Sequence, residues 1–143
     1  MNSIIHVRGD VRTKPFWLGI PYTFQYRLST VYRRDVSTNG IIADTGGRLQ
    51  LRSLSLDFNG TGYFRVEVTP KGRSTSSHIY SGRFVGVSDP LLGVAPVEDG
   101  SYKARLFSKN NQVTIDLVND SFLPCQFTGA VWEGEFNELA RKV

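Results

Sequence analysis

The chain has 143 residues, 40% hydrophobic and 12% aromatic, enough for one domain with an unaided core and too apolar for a disordered segment. Its only cysteine, Cys125, excludes an internal disulfide and a thiolate metal cluster, and no run reaches the roughly 18 apolar residues of a membrane helix. The net charge of +4 is uneven, with 12 Lys and Arg against 5 Asp and Glu in residues 1–83 and 5 against 8 in residues 84–143, a split that offers either a nucleic-acid surface or two complementary protein surfaces.

The opening MNSIIHVRGDV holds too short an apolar stretch for a secretory signal, so a soluble protein made in a reducing cytoplasm is expected. The RGD at 8–10 copies an adhesion tripeptide, but three residues carry no specificity. YTFQYRLS then places Tyr22, Phe24, Tyr26 and Leu28 on one side and Thr23, Gln25, Arg27 and Ser29 on the other, which predicts a half-buried strand with an aromatic inner face. In GRLQLRSLSLDFNG (47–60) the alternation slips. Leu49 and Leu51 share one parity, and Leu54, Leu56 and Phe58 share the other. Side chains of a strand alternate strictly, so the slip predicts a bulge or bend at Arg52-Ser53, with the two leucine sets packing against different partners.

NGTG at 59–62 is expected to close a tight hairpin into YFRVEV, where Phe64, Val66 and Val68 point inward. His78 follows the polar GRSTSS and reads as an exposed loop residue. SDPLLGVAPVEDG (88–100) reads as a long loop that packs its own leucines. YKARLF through Tyr102, Ala104 and Leu106, and QVTIDLV through Val113, Ile115 and Leu117, are further strands, with KNN (109–111) expected as the hairpin between them. AVWEGEF predicts a Trp132 ring buried against the strand 22–28 or its neighbours. Only the tail, FNELARKV, offers a possible helical segment. The sum is an all-β, antiparallel, β-sandwich-like single domain over residues 1–143, with long loops.

No catalytic constellation emerges. His6 and His78 are isolated, and no nucleophile elbow, phosphate loop, dinucleotide glycines or zinc spacing is present. Catalytic, cofactor and metal sites are therefore expected to be absent. Glu133 and Glu135 can share a strand face, and paired carboxylates are what glycosidases use. With Trp17, Tyr22, Tyr26 and Trp132 as a sugar platform they support an alternative, a carbohydrate-binding or cell-wall-degrading β-sandwich module. The competing reading puts the aromatics in the core and the glutamates in solvent. The sequons NGT (59–61) and NDS (119–121) read as turn residues without secretion. A sequence-specific DNA regulator lacks its recognition helix or ribbon.

One resemblance covers about 120 residues. LGIPYTFQYRLS…RRD (18–35), GRLQLRSLSLDFNGTGYFRVEVTPKGR (47–73), YSGRFVG (80–86) and SFLPCQFTGAVWEGEFNELARKV (121–143) resemble the C-terminal part of phage tail tubular protein B, the nozzle family of short-tailed bacteriophages. The matching elements are Gly19 to Tyr22, Arg33-Arg34, Arg48 to Arg52, Thr61-Gly62, Trp132 to Gly134 and Arg141-Lys142, in the family's order. The family's large preceding region, with its propeller-like part, is not matched, so the sequence is expected to be either an excised adaptor-docking domain or a short protein that keeps that part. The resemblance implies a structural role in the virion tail: a homo-oligomeric ring, contact with the tail adaptor protein, and lining of the channel through which DNA leaves. On that reading no membrane is involved and DNA contact is at most non-specific. Arg33, Arg34, Arg48, Arg52, Glu133, Glu135, Arg141 and Lys142 are the candidate interface residues, the arginines facing acidic groups of neighbouring subunits.

Overall fold

A computed structural model describes Thr13 and residues 22–38, 40–82 and 97–139. These residues form β1 (Phe24–Arg27), β2 (Arg33–Ser37), β3 (Gly40–Asp44), β4 (Gly47–Thr61), β5 (Tyr63–Pro70), β6 (Ser76–Ser81), β7 (Glu98–Lys109), β8 (Val113–Asn119) and β9 (Phe127–Glu138), with one 3-10 turn at Asn110–Gln112. The strands make a four-stranded sheet in the order β1-β8-β5-β6, a three-stranded sheet in the order β7-β4-β9, and a separate β2-β3 ribbon. Every pairing is antiparallel. Period-2 alternation explains the packing: Phe64, Val66 and Val68 of β5 and Ile115 and Leu117 of β8 meet Leu51, Leu54, Leu56 and Phe58 of β4 and Ala104 and Leu106 of β7 in one core. Phe64 lies at its aromatic centre, within 5.0–5.6 Å of the Phe58, Tyr80, Tyr102 and Phe127 rings. The all-β, sandwich-like expectation holds.

The slip in β4 is a bulge, and it does the reverse of what parity alone suggested. Against β9, Leu51 pairs Gly134 and Ser53 pairs Glu133, so Arg52 is the extra residue. The insertion cancels the parity change. Leu51, Leu54, Leu56 and Phe58 all enter the same core, and Leu49 packs against it. The expectation that the two leucine sets serve different partners is therefore corrected: the strand stays on one face because it bulges. β7 carries a further extra residue there, pairing Ser108 with Leu51 but Arg105 with Ser53. Phe107 takes up that excess at φ +44° and turns outward, 67% exposed. A left-handed backbone at a bulky residue costs about 1–3 kcal/mol.

Two predicted hairpins are not hairpins. NGTG carries the chain from β4 in one sheet to β5 in the other, and the KNN turn carries it from β7 to β8 across the same gap. Turn residues report that a chain reverses, not whether the strands then pair or face each other across a core. The first corner is held by Gly60 at φ +53° and by Thr61, fully buried, which donates its Oγ1 hydrogen to Asn59 or Gln126 carbonyls at 3.1 and 3.3 Å. The hairpins between successive paired strands are β2-β3 and β5-β6, the latter through Lys71-Gly72-Arg73, with Gly72 at φ +76°.

Other expectations shift at the edges. β1 is an edge strand, so Phe24 and Leu28 pack on the core while Tyr22 and Tyr26 are exposed. His78 belongs to β6, opposite Val66, rather than to a loop. The tail segment enters as strand through Glu138, with Phe136 opposite Leu49. Glu98 to Gly100, the end of the expected long loop, already belong to β7. Val97 is described and exposed, and residues 88–96 of that loop, with His6, the RGD tripeptide, Trp17, Gly19, Arg141 and Lys142, lie outside the described residues.

Candidate functional site

The outer face of the β7-β4-β9 sheet gathers Arg52, Glu133 and Glu135. The bulge aims Arg52 across the strand gap, and its Nη2 donates to Glu135 Oε2 at 2.8 Å. Glu133 Oε2 accepts from Lys103 Nζ at 2.6 Å and from Ser53 Oγ at 2.7 Å. The Lys103 hydrogen bond, then that of Ser53 and then the Lys103 charge, hold the Glu133 carboxyl below the usual glutamate range. A glycosidase general acid needs the opposite shift. The two glutamates are each held by a cation rather than aimed together at a cleft.

Gly134 sits between them for a packing reason. A Cβ there would lie 2.7 Å from the Gln50 carbonyl oxygen, so the Trp-Glu-Gly element needs glycine where β9 passes β4. Trp132 is half-buried opposite Leu54 and packs on the core. It borders a cavity of about 10 Å³ with Leu28, Leu51 and Ile115. The expectation of a buried ring near the strand 22–28 is met in part: Trp132 and Leu28 line the same cavity, but the ring is half-buried rather than buried.

The β2-β3 ribbon leaves the sandwich beside the C-terminal end of β9. The Arg33 guanidinium stands 4.6 Å from the Phe136 ring centroid and 3.9 Å from Glu138 Oε1. The ribbon exposes Val36, Ile41 and Ile42, and a two-stranded ribbon is marginal by itself. Arg34, on the same ribbon, makes no ion pair among the described residues. Of the candidate arginines, Arg33 and Arg52 thus form ion pairs within the chain, while Arg34 and Arg48 form none among the described residues.

Arg48 belongs to a group that sequence spacing scattered. The start of β4, the end of β7 and the β5-β6 turn bring Arg48, Lys71, Arg73 and Lys109 around Phe107, in an open groove of about 260 Å³. Among the described residues its lining holds no acidic side chain, and Arg48 reaches Gln50 Oε1 alone, at 3.4 Å. Lys71 and Arg73 could have been suspected from the KGR turn, but Phe107 could not, because its outward turn depends on the second bulge.

The opposite outer face, on the four-stranded sheet, is structural. Arg27 grips buried Asp116 with two hydrogen bonds, at 2.8 and 3.0 Å. Arg65 bonds Asp120 at 2.6 Å and Glu67 at 2.7 Å. The Arg65 bond holds the Asp120 carboxyl below its ordinary value. Among the described residues no cluster of three or more His, Cys, Asp or Glu could hold a metal ion, and no helix is long and apolar enough to cross a membrane.

Comparison with known proteins matches residues 1–143 to the family described as Bacteriophage nozzle protein. The chain is also 21% identical over 133 residues to "Tail tubular protein gp12" of Escherichia phage T7, a match covering 92% of this chain and 17% of that relative.

Proposed function

The chain belongs to the bacteriophage nozzle protein family, and from that premise we propose that it forms or docks a ring around the DNA-ejection channel of a short phage tail, as a structural component of the virion. The family match along the whole chain is the observation that carries this reading. The chain spans about a sixth of the length of the curated relative it matches, so the ring and the contact with a tail adaptor protein belong to this proposal. The fold supports it in kind. Sheet edges unpaired among the described residues and a ribbon with exposed Val36, Ile41 and Ile42 are surfaces for subunit contact, and a closed ring needs two different, complementary surfaces on each subunit. Arg34 and Arg48 are the interface arginines with no ion pair among the described residues, and Arg141 and Lys142 complete the set carried from the sequence.

On this reading the protein is not an enzyme. The cell-wall-degrading alternative loses support, because Glu133 is tied to Lys103 and Ser53 and Glu135 to Arg52 on the sheet face rather than paired across a cleft. Contact with DNA is weak and non-specific, since a conduit that neutralised many phosphates would hold the molecule it must release. Native mass spectrometry of the chain, alone and with the tail adaptor protein, tests the proposal. A closed homo-oligomer, or a stoichiometric complex with the adaptor ring, is expected. A monomer that ignores the adaptor and hydrolyses peptidoglycan would overturn it.

A further inference from the structure

The sequence splits its charge by halves, but the fold redistributes that charge by ends. β4 runs from one end of the sandwich to the other and β7 runs back. Around the start of β4 lie Arg48, Lys71, Arg73 and Lys109, none in an ion pair among the described residues, with exposed Phe107 between them. Of the acidic residues near that end, Glu135 is held by Arg52 and Glu138 by Arg33, while Asp44 accepts the Gly46 amide on the ribbon side, outside the groove lining. Around the far end of β4 lie Asp57, Glu98 and Asp99. Asp57 pairs with Ser101 of β7, and Thr61 with Glu98. Among the described residues Asp99 accepts the Gly60 amide alone, at 2.7 Å. Glu98 is half-buried, its Oε2 accepting from Tyr80 at 3.2 Å and its Oε1 buried with no partner among the described residues, so Asp57 and Asp99 carry the accessible charge of that end. Arg65, a cation of that end, is taken up by Asp120 and Glu67.

From Arg48 to Asp57 the strand covers about 30 Å at roughly 3.3 Å per residue. The Debye length at physiological salt is about 8 Å, so the two ends cannot neutralise each other within one molecule. They can do so between molecules. The groove is open and polar, which does not suit an enclosed small ligand. A duplex would present phosphates to the cations and leave an outward aromatic ring without a partner. A protein edge satisfies both.

We propose that the basic groove around Phe107 docks the acidic end of a second copy of this chain, the Asp57, Glu98 and Asp99 end, so that the domains associate head to tail. The proposal rests on the reading of the chain as a ring-forming tail component. It adds which surfaces meet. Phe107 is the anchor, and its strained backbone is the cost of presenting the ring outward. Such a heterologous contact closes into a ring when its rotation allows, and otherwise grows as a filament.

The test is sedimentation velocity of the chain over a range of concentrations, at about 50 mM and about 500 mM salt, where screening differs severalfold. The wild type is expected to associate at low salt and to weaken at high salt. The pair Lys71→Glu with Arg73→Glu should lose at least about tenfold in association, the size of change that 1.4 kcal/mol makes. The pair Asp57→Lys with Asp99→Lys should do the same, and an equimolar mixture of the two doubly reversed chains should recover it, because their ends are again complementary. Phe107→Asn should weaken association while leaving the melting temperature equal or higher, a result misfolding cannot give. Association that survives both reversals overturns the docking site and leaves the ring reading standing. A chain that stays monomeric at every concentration removes the site, and a chain that then also ignores the adaptor ring removes the ring reading with it. Duplex binding abolished by Lys71→Glu with Arg73→Glu, with self-association unchanged, would assign the groove to phosphate and refute the proposal.

Discussion

Deleting Arg52 is the sharpest perturbation of the fold, because one residue keeps two leucine sets on one face. Without it, the strand before the bulge must turn over relative to β9. Leu51, 2% exposed, would leave the core, half-buried Leu49 would follow, and Gln50 would turn inward. Exposing a buried leucine costs about 1.5–3 kcal/mol, and Leu49 contributes about half as much. An inward Gln50 amide without partners adds about 1–3 kcal/mol. The loss expected is about 3–7 kcal/mol, a large share of the stability of a domain this size. Arg52→Ala is the control. It keeps the bulge and removes only the ion pair with Glu135, whose side chains are 57% and 53% exposed, worth about 0–1 kcal/mol. Urea unfolding followed by tryptophan fluorescence measures both. A deletion costing under about 1 kcal/mol, or an Arg52→Ala loss equal to that of the deletion, would refute the claim that the bulge holds the register.

Three further outcomes are expected. Trp132→Ala should cost about 2–3 kcal/mol in urea unfolding followed by circular dichroism, less than the loss for a fully buried tryptophan, because part of the ring is in solvent; a loss under about 1 kcal/mol would detach it from the core. Gly134→Ala should destabilise by about 1–3 kcal/mol, since the new Cβ meets the Gln50 carbonyl at 2.7 Å, whereas Gly129→Ala, which meets only the Asp57 side chain at 3.2 Å, should cost less; the reverse ranking would count against the β4-β9 register. Glu133 should titrate below an ordinary glutamate by carbon-detected NMR, and Lys103→Met should move it upward by removing its largest cause. Because the folded-state value is lowered, the stability this carboxylate contributes is present above the unfolded glutamate value and is lost as pH falls through the folded one. No upward movement in Lys103→Met would mean that the Lys103 contact does not form in solution.

The strands were legible wherever one face is buried, because burial writes a period of two into the sequence: Phe64, Val66 and Val68, or Val113, Ile115 and Leu117. The bulge was legible for the same reason, as a break in that period, but its consequence was not. Parity says that a residue is extra, while only the partner strands say whether the insertion turns the strand or keeps it straight. Edge effects were invisible as well. Tyr22 and Tyr26 alternate like core residues, yet among the described residues β1 pairs with β8 alone, and both rings are exposed. NGTG and KNN have the chemistry of hairpins and serve as corners between sheets, since local turn geometry carries no record of which layer the next strand joins. The charge asymmetry was visible, but its arrangement was not. Arg48, Lys71, Arg73 and Lys109 come from three separate stretches and meet because antiparallel strands bring their alternate ends together.

The ring around the channel is the centre of the account, and tail particles examined directly test it best. Virions carrying this chain with a small peptide tag at a described, exposed turn such as Lys71–Arg73 can be labelled and imaged by electron microscopy. Averaged end-on views should show label repeated at equal angles about the tail axis, at one level along the channel. Label at a single off-axis position, or on the capsid shell and absent from the tail, would contradict the account.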